Sequence, residues 1–279
     1  MNILMIYPEY PDTFWSFKHA LKFVSKKAAH PPLGLLTIAP LLPENWEKKL
    51  IDLNVQKLQG KDILWADIVF IGDMSAQYKS TVEVIQQCKS LKKVIVGGGP
   101  MFTEDYEKFE TVDYLVLNEA EITLPLFLKD WQAGNPRRIY QTDEFADIRQ
   151  SPAPDYSLID LSKYSSKSIQ LTRGCPFNCE FCDITALFGH KMRIKTTQQI
   201  LAELDVLYQL GARGDIFFVD DNFIGNKKVL KNDLLPALID WGNAHGNPFS
   251  FSTEASVNLA DDPVLMKMMI QAGFSSVFV

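Results

Sequence analysis

Short apolar runs recur along this chain, and the intervals between them are long enough to hold helices. Residues 2–7, 49–53, 67–72, 93–97 and 113–117 each read as a strand rich in Ile, Val and Leu. Residues 32–42, 80–91, 104–109 and 123–131 carry helical patterning between or after them. Parallel strands need crossover connections, and near-continuous apolar strands need cover on both faces. The first half is therefore expected to be an α/β unit, a parallel sheet with helices on both sides. Its ligand edge lies at the carboxyl ends of the strands.

The second half repeats the rhythm. Strand-like residues 169–172, 215–219 and 249–253 precede helix-like residues 197–210, 227–244 and 263–272, and 276–279 begins a fourth strand. Four strands with three helices cannot close a (β/α)8 barrel. An open, partial (β/α) barrel is expected, incomplete at the C-terminus. The proposed domains are 1–133 and 166–279. A connector over 134–165 is marked by turn signals at Gly134, Pro136, Pro152 and Pro154.

Composition narrows the classes. With 47% hydrophobic and 22% charged residues, the chain can bury proper cores. A net charge of −6 and no dense Lys/Arg stripe argue against nucleic acid as a partner. The start lacks a basic, apolar leader, and no apolar stretch reaches membrane-spanning length. A reducing cytoplasm is the expected compartment.

Three of the four cysteines, Cys175, Cys179 and Cys182, fall within one short stretch. Thiolates this close can converge on one metal centre. With three ligands, a four-iron cluster keeps one iron open for a substrate or cofactor, whereas electron-carrying clusters usually have four thiolates. Zinc would want a fourth ligand, and His190 is the only nearby histidine. A disulfide plus a free thiol is disfavoured in a reducing compartment. Cys88 lies in a helical stretch and reads as an ordinary buried cysteine.

The C-x3-C-x2-C spacing, with Arg173-Gly174 before it and the aromatic Phe181 ahead of the last cysteine, resembles the signature of radical S-adenosylmethionine (radical SAM) enzymes. Gly97, Gly98, Gly99 and Pro100, then Val112, Asp113, Tyr114 and Glu119, are similar to the Rossmann-like cobalamin-binding domain found ahead of many radical SAM domains. Asn118 stands where that pattern usually has glycine. The chain as a whole resembles the cobalamin-dependent radical SAM group, most of all the hopanoid methylases. What the resemblance implies follows residue by residue. Cys175, Cys179 and Cys182 would hold a [4Fe–4S] cluster. Asp220, Asp221, Asn222 and Glu254 would contact SAM. Gly72, Ser75, Gly97, Gly98, Gly99, Pro100 and Glu119 would face cobalamin.

On residue type alone, the glycines also suit a tight turn, Asp220 to Asn222 a helix cap, and Glu254 a solvated strand end. Arg193 suits either a SAM carboxylate or the surface. The D-x-H-x-x-G motif that supplies a cobalt-ligating histidine is missing, so His19 and His30 are expected at the surface or in helix packing. Cobalt is then expected to have no protein nitrogen on its lower face. The aromatic group Tyr7, Tyr10, Phe14, Trp15 and Phe17 is expected to cover a flat ligand or to pack between domains.

The implied reaction is reductive cleavage of SAM to a 5′-deoxyadenosyl radical, then methyl transfer from methylcobalamin to an unactivated carbon. The implied partners are a small or lipid-like substrate and a flavodoxin or ferredoxin donor. A methylthiotransferase would need further cysteines in the first domain. An electron carrier would need a fourth thiolate. An inactive fragment is the third alternative, and the chain as given is expected to bind a cluster without efficient turnover.

Overall fold

A computed structural model describes residues 1–13 and 16–279 of the chain. Phe14 and Trp15 of the aromatic group lie outside the described residues. The chain forms two compact units, residues 1–146 with 154–164, and residues 147–153 with 165–279.

The first unit runs β1 (Asn2–Tyr7), α1 (Lys18–Phe23), α2 (Leu33–Ile38), β2 (Glu47–Asp52), α3 (Gly60–Trp65), β3 (Ile68–Gly72), α4 (Tyr78–Ser90), β4 (Val94–Gly98), α5 (Pro100–Asp105), β5 (Tyr114–Val116), α6 (Ala120–Gln132) and β6 (Ile139–Tyr140). Its six strands pair in parallel in the order β2-β1-β3-β4-β5-β6. The winding direction reverses between β1 and β3, which makes their carboxyl ends the topological switch point. Ile3, Leu4, Met5 and Ile6 of β1 are all fully buried, as helices on both faces require.

Some expected elements shift. Residues 32–42 form only α2, followed by a 3-10 turn over Ala39–Leu41 that contains Pro40. The helix expected over 104–109 starts at Pro100, where a proline suits the first turn, and ends as a 3-10 turn over Tyr106–Lys108.

The connector expected over 134–165 is divided between the units. β6 adds a sixth strand to the first sheet. Residues 147–153 pack with the second unit, where Gln199 Nε2 donates to the carbonyls of Ile148 and Ser151, each at 3.3 Å. Residues 154–164 return to the first, where Tyr164 Oη donates to Asp52 at 2.9 Å. The physical reason is local. Asp147, Asp155 and Asp160 each accept from the backbone two residues on, so the segment folds into capped 3-10 turns.

The second unit runs β7 (Lys167–Ile169), β8 (Thr172–Arg173), α7 (Ile184–Phe188), β9 (Arg193–Ile194), α8 (Thr197–Gln209), β10 (Gly214–Phe218), α9 (Lys227–Val229), α10 (Leu235–His245), β11 (Phe249–Glu254), α11 (Pro263–Gln271) and β12 (Phe274–Phe278). Four strands pair in parallel in sequential order, β12-β11-β10-β7, while β8 and β9 form an antiparallel hairpin. This is the open, partial (β/α) arrangement expected. The strand expected over 169–172 is broken between Ile169 and Thr172. The helix expected over 227–244 carries a π turn at Leu230–Leu234, just ahead of Pro236, which has no N–H to donate. Among the described residues no helix is long and apolar enough to cross a membrane.

Candidate functional site: the three-thiol loop and the strand ends

The β8–β9 hairpin brackets the loop that carries the three cysteines. At its entry, Leu171 N donates to Asp220 Oδ2 at 3.2 Å, and Thr172 N and Oγ1 both donate to Asp220 Oδ1. Gly174 follows with φ 87°, and a Cβ there would sit 2.8 to 3.0 Å from the carbonyls of Lys191, Gly189 and Phe188. Only glycine meets both demands. Cys175 N then donates to Gly189 O at 3.2 Å. Arg193 Nη2 donates to Phe188 O at 3.0 Å, so this arginine braces the loop's far side. Just beyond, the buried Lys195 ammonium pairs with the buried Glu203 carboxylate on α8.

All four cysteines are free. Cys175 is buried, Cys182 half-buried and Cys179 exposed. Burial pushes the Cys175 thiol up, with smaller contributions from Asp221, Cys182 and Cys179. Among the described residues no three His, Cys, Asp or Glu side chains converge into a ready metal site. The donor set nonetheless fits an iron–sulfur cluster: three free thiols on one loop, within electrostatic reach of each other. Binding would gather them, since metal binding couples to local folding. Phe181, between the second and third cysteines, is 89% exposed. Cys88 is fully buried in the first unit, and burial raises its thiol to about 11, which keeps it protonated.

The SAM candidates sit at the ends of β10 and β11. Asp220 is turned inward, 1% exposed, and its carboxylate is used by Leu171 and Thr172. Burial lifts it to about 7. Asp221 is half-buried, and burial, with the nearby Glu254 charge, lifts it to about 6. Desolvation raises Glu254 as well. Asn222 is buried. Its Oδ1 accepts from Ser256 N at 3.2 Å and Ser256 Oγ at 3.3 Å, while its Nδ2 has no hydrogen-bond partner. Asn222 lines a cavity of about 300 Å³ together with Pro176, Phe177, Lys227, Ser256 and Asn258. A buried amide with free donors beside the cysteine loop fits a ligand carrying acceptor atoms.

In the first unit, the candidate residues gather at the strand ends. Gly72 ends β3, Gly97 and Gly98 end β4, and Pro100 opens α5. Each glycine also has an internal reason. A Cβ at Gly72 would meet Leu35 at 2.7 Å, at Gly97 the Phe102 ring at 2.8 Å, and at Gly98 the Val116 carbonyl at 2.9 Å. At Gly99, φ is 112° and a Cβ would lie 2.7 Å from Asp73 O. Ser75 Oγ donates to Glu104 at 2.7 Å, and Glu119 is buried at the start of α6. Asn118 has φ 60°, which explains why asparagine can stand in for glycine there.

Sequence reasoning missed the polar links at the switch point. Tyr7 Oη and Tyr10 Oη lie 2.7 Å apart, Tyr10 Oη donates to Met74 Sδ at 3.1 Å, and buried Gln77 donates to Pro8 O. Asp73 is buried, accepts from Thr81 Oγ1 at 2.8 Å and is lifted by burial to about 8. No motif announces these contacts, because they join loops distant in sequence. His19 and His30 are exposed.

A parallel (β/α) unit with a three-thiol loop beside carboxylates at its strand ends defines a class of cofactor-dependent enzyme domains. Residues 169–279 match the family model of the radical SAM superfamily. The second unit therefore carries a radical SAM domain. The whole chain is 46% identical to an uncharacterized methyltransferase of Synechocystis sp., covering 52% of it. It is 36% identical over its whole length to the hopanoid C-2 methylase of Rhodopseudomonas palustris, covering 54% of that protein. The chain thus spans about half the length of these relatives. Among solved structures, the radical SAM methyltransferase TsrM of Kitasatospora setae, with cobalamin and a [4Fe–4S] cluster bound, matches 99% of this chain and 60% of its own, at a TM-score of 0.74 and 15% identity. The cobalamin-dependent radical enzyme OxsB matches 99% of this chain and 43% of its own, at a TM-score of 0.70 and 18% identity. Both likenesses bear on the fold, which they share with this chain across both units.

Proposed function

We propose that this chain carries the cofactor-binding part of a cobalamin-dependent radical SAM C-methyltransferase acting on a small or lipid-like substrate in the cytoplasm, with an electron donor such as flavodoxin or ferredoxin. The observation that carries the reading is the placement of three free thiols, Cys175, Cys179 and Cys182, on one braced loop in the same unit as Asp221 and Glu254. The likeness to relatives named as methylases supports the rest.

When bound, the cluster and SAM supply a strong oxidising radical, and cobalamin supplies a transferable methyl group. The chain's own residues do the placing. Cys175, Cys179 and Cys182 would hold the cluster by three thiolates, one fewer than an electron-carrying cluster usually has. Asp221 and Glu254 offer carboxylates to an ammonium and to hydroxyls. Asn222 Nδ2 offers its unused donors to a carboxylate or carbonyl oxygen. The Gly97–Gly99 backbone, with Gly72, Ser75, Pro100 and Glu119, would line the carboxyl-end edge of the first sheet for a broad planar ligand. With no D-x-H-x-x-G motif and with His19 and His30 exposed, these residues would hold cobalamin without a histidine on cobalt.

Anaerobic reconstitution with iron, sulfide and hydroxocobalamin tests this. About four irons per chain are expected from the cluster stoichiometry, with bound cobalamin whose cob(II) spectrum lacks axial nitrogen splitting. Cys175→Ala should lose the iron and keep the cobalamin, and Cys88→Ala should keep both. A full iron complement in Cys175→Ala would overturn the cluster assignment, and clear axial nitrogen coupling would overturn the cobalt one.

A further inference from the structure

The two adjacent aspartates at the end of β10 do different things. Asp220 is 1% exposed and accepts from Leu171 N, Thr172 N and Thr172 Oγ1. Asp221 is half-exposed, within electrostatic reach of Cys175 and Glu254. Both lie just past the end of β10, where the packing of the turn sets the surroundings of each side chain.

Asp220 sits where the chain breaks from β7 and starts β8. Val219 N donates to Ile169 O at 2.9 Å, which keeps β7 and β10 in register up to that break. Beyond it, the backbone amides of Leu171 and Thr172 have turned away from the β7 ladder, and Asp220 receives both of them. Three residues after Thr172 comes Cys175. Between them, Arg173 pairs with Arg193 in the hairpin and Gly174 is packed against three carbonyls, so little slack separates the brace from the thiol. A desolvated carboxylate with no cation beside it is costly unless donors compensate. Here burial already lifts Asp220 to about 7, and the three donors oppose that shift.

We propose that Asp220 is a positioning residue: through its hydrogen bonds to Leu171 and Thr172 it fixes the entry of the cysteine loop and the placement of Cys175, while Asp221 is left to face the ligand. The proposal rests on the reading of Cys175, Cys179 and Cys182 as cluster ligands.

Asp220→Asn keeps the side-chain volume but puts an amide donor against backbone donors. Thr172→Val removes one hydroxyl donor and leaves both backbone bonds, so it serves if Asp220→Asn folds poorly. Two measurements on the 279-residue chain separate this proposal from the cluster assignment. In the protein without iron, hydrogen exchange at the Leu171 and Thr172 amides should be at least about tenfold faster in Asp220→Asn, the scale of one lost hydrogen bond of about 1.4 kcal/mol. Unchanged protection overturns the brace whether or not a cluster forms. In the reconstituted protein, Asp220→Asn should keep most of its iron yet show a shifted reduced-cluster EPR spectrum and about tenfold weaker SAM titration of that spectrum. Thr172→Val should show a smaller change of the same kind. A wild-type spectrum and SAM titration in both variants would show that Asp220 does not place the cluster. Wild-type protein that takes up no iron would instead refute the cluster assignment, with the exchange measurement still deciding the brace.

Discussion

The two parallel sheets of this chain are built on different patterns, and the difference tracks what covers them. In the first unit, β1 buries four consecutive apolar residues, Ile3 to Ile6, because helices lie on both faces of a doubly wound sheet. In the second unit, β11 alternates: Phe249, Phe251 and Thr253 are buried, while Ser250 and Ser252 are only half-buried. The sequential order β12-β11-β10-β7 winds one way only, so its helices cover one face. The other face is polar, with Asp215 accepting from Ser166 at 2.6 Å and Ser252 at 3.0 Å. A doubly wound sheet places its ligand edge at a switch point. A singly wound one also frees an inner face and a rim of strand ends for chemistry. The carboxylates and thiols cluster accordingly in the second unit.

The largest test of that contrast is on β11. Phe251→Ala should cost about 3–5 kcal/mol, as large aromatic truncations in a packed core do. Ser252→Ala, its neighbour on the other face, should cost only about 0.5–1.5 kcal/mol, the scale of its one hydrogen bond to Asp215. Urea unfolding of each variant reads the difference, and equal costs would mean that both faces of the second sheet are packed alike.

The next test sits in the first unit. Gly99→Ala should destabilise by about 1–3 kcal/mol, since it combines φ 112° with a Cβ 2.7 Å from Asp73 O. Thermal unfolding measures it. An unchanged midpoint would show that the β4–α5 turn yields freely, leaving ligand approach as the remaining reason for glycine there.

The last test concerns pH. Asp73 is held protonated up to about 8 by burial, with Thr81 as its hydrogen-bond partner and Tyr7 and Tyr10 within electrostatic range. Its native pKa exceeds its unfolded one, so the native state keeps a proton that the unfolded chain releases. Stability from this group is full below about pH 4 and is lost as pH rises towards 8, by at most about 1.4 kcal/mol per pH unit. Asp73→Asn should flatten that decline, as followed by urea midpoints between pH 5 and 8. A decline as steep in the variant as in the wild type would mean that Asp73 is ionised in the folded state.

Much of this molecule was fixed by local pattern. The strands at 2–7, 67–72 and 249–253, the helix starting near Thr197 and the three-thiol spacing are all set by residues close in sequence. Periodicity and spacing are local quantities, and they survive without a third dimension. The structure decided what depends on contact between distant segments. It split residues 134–165 between two units. It placed asparagine at φ 60° where glycine is usual, and it gave each strand-end glycine a neighbour that excludes a Cβ. It also separated Asp220 from Asp221, two identical side chains side by side in the sequence. Burial and hydrogen-bond partners come from the packing of β7, β8 and β10, and only that packing buries one carboxylate to hold the loop and leaves the other half-exposed, within electrostatic range of Cys175 and Glu254.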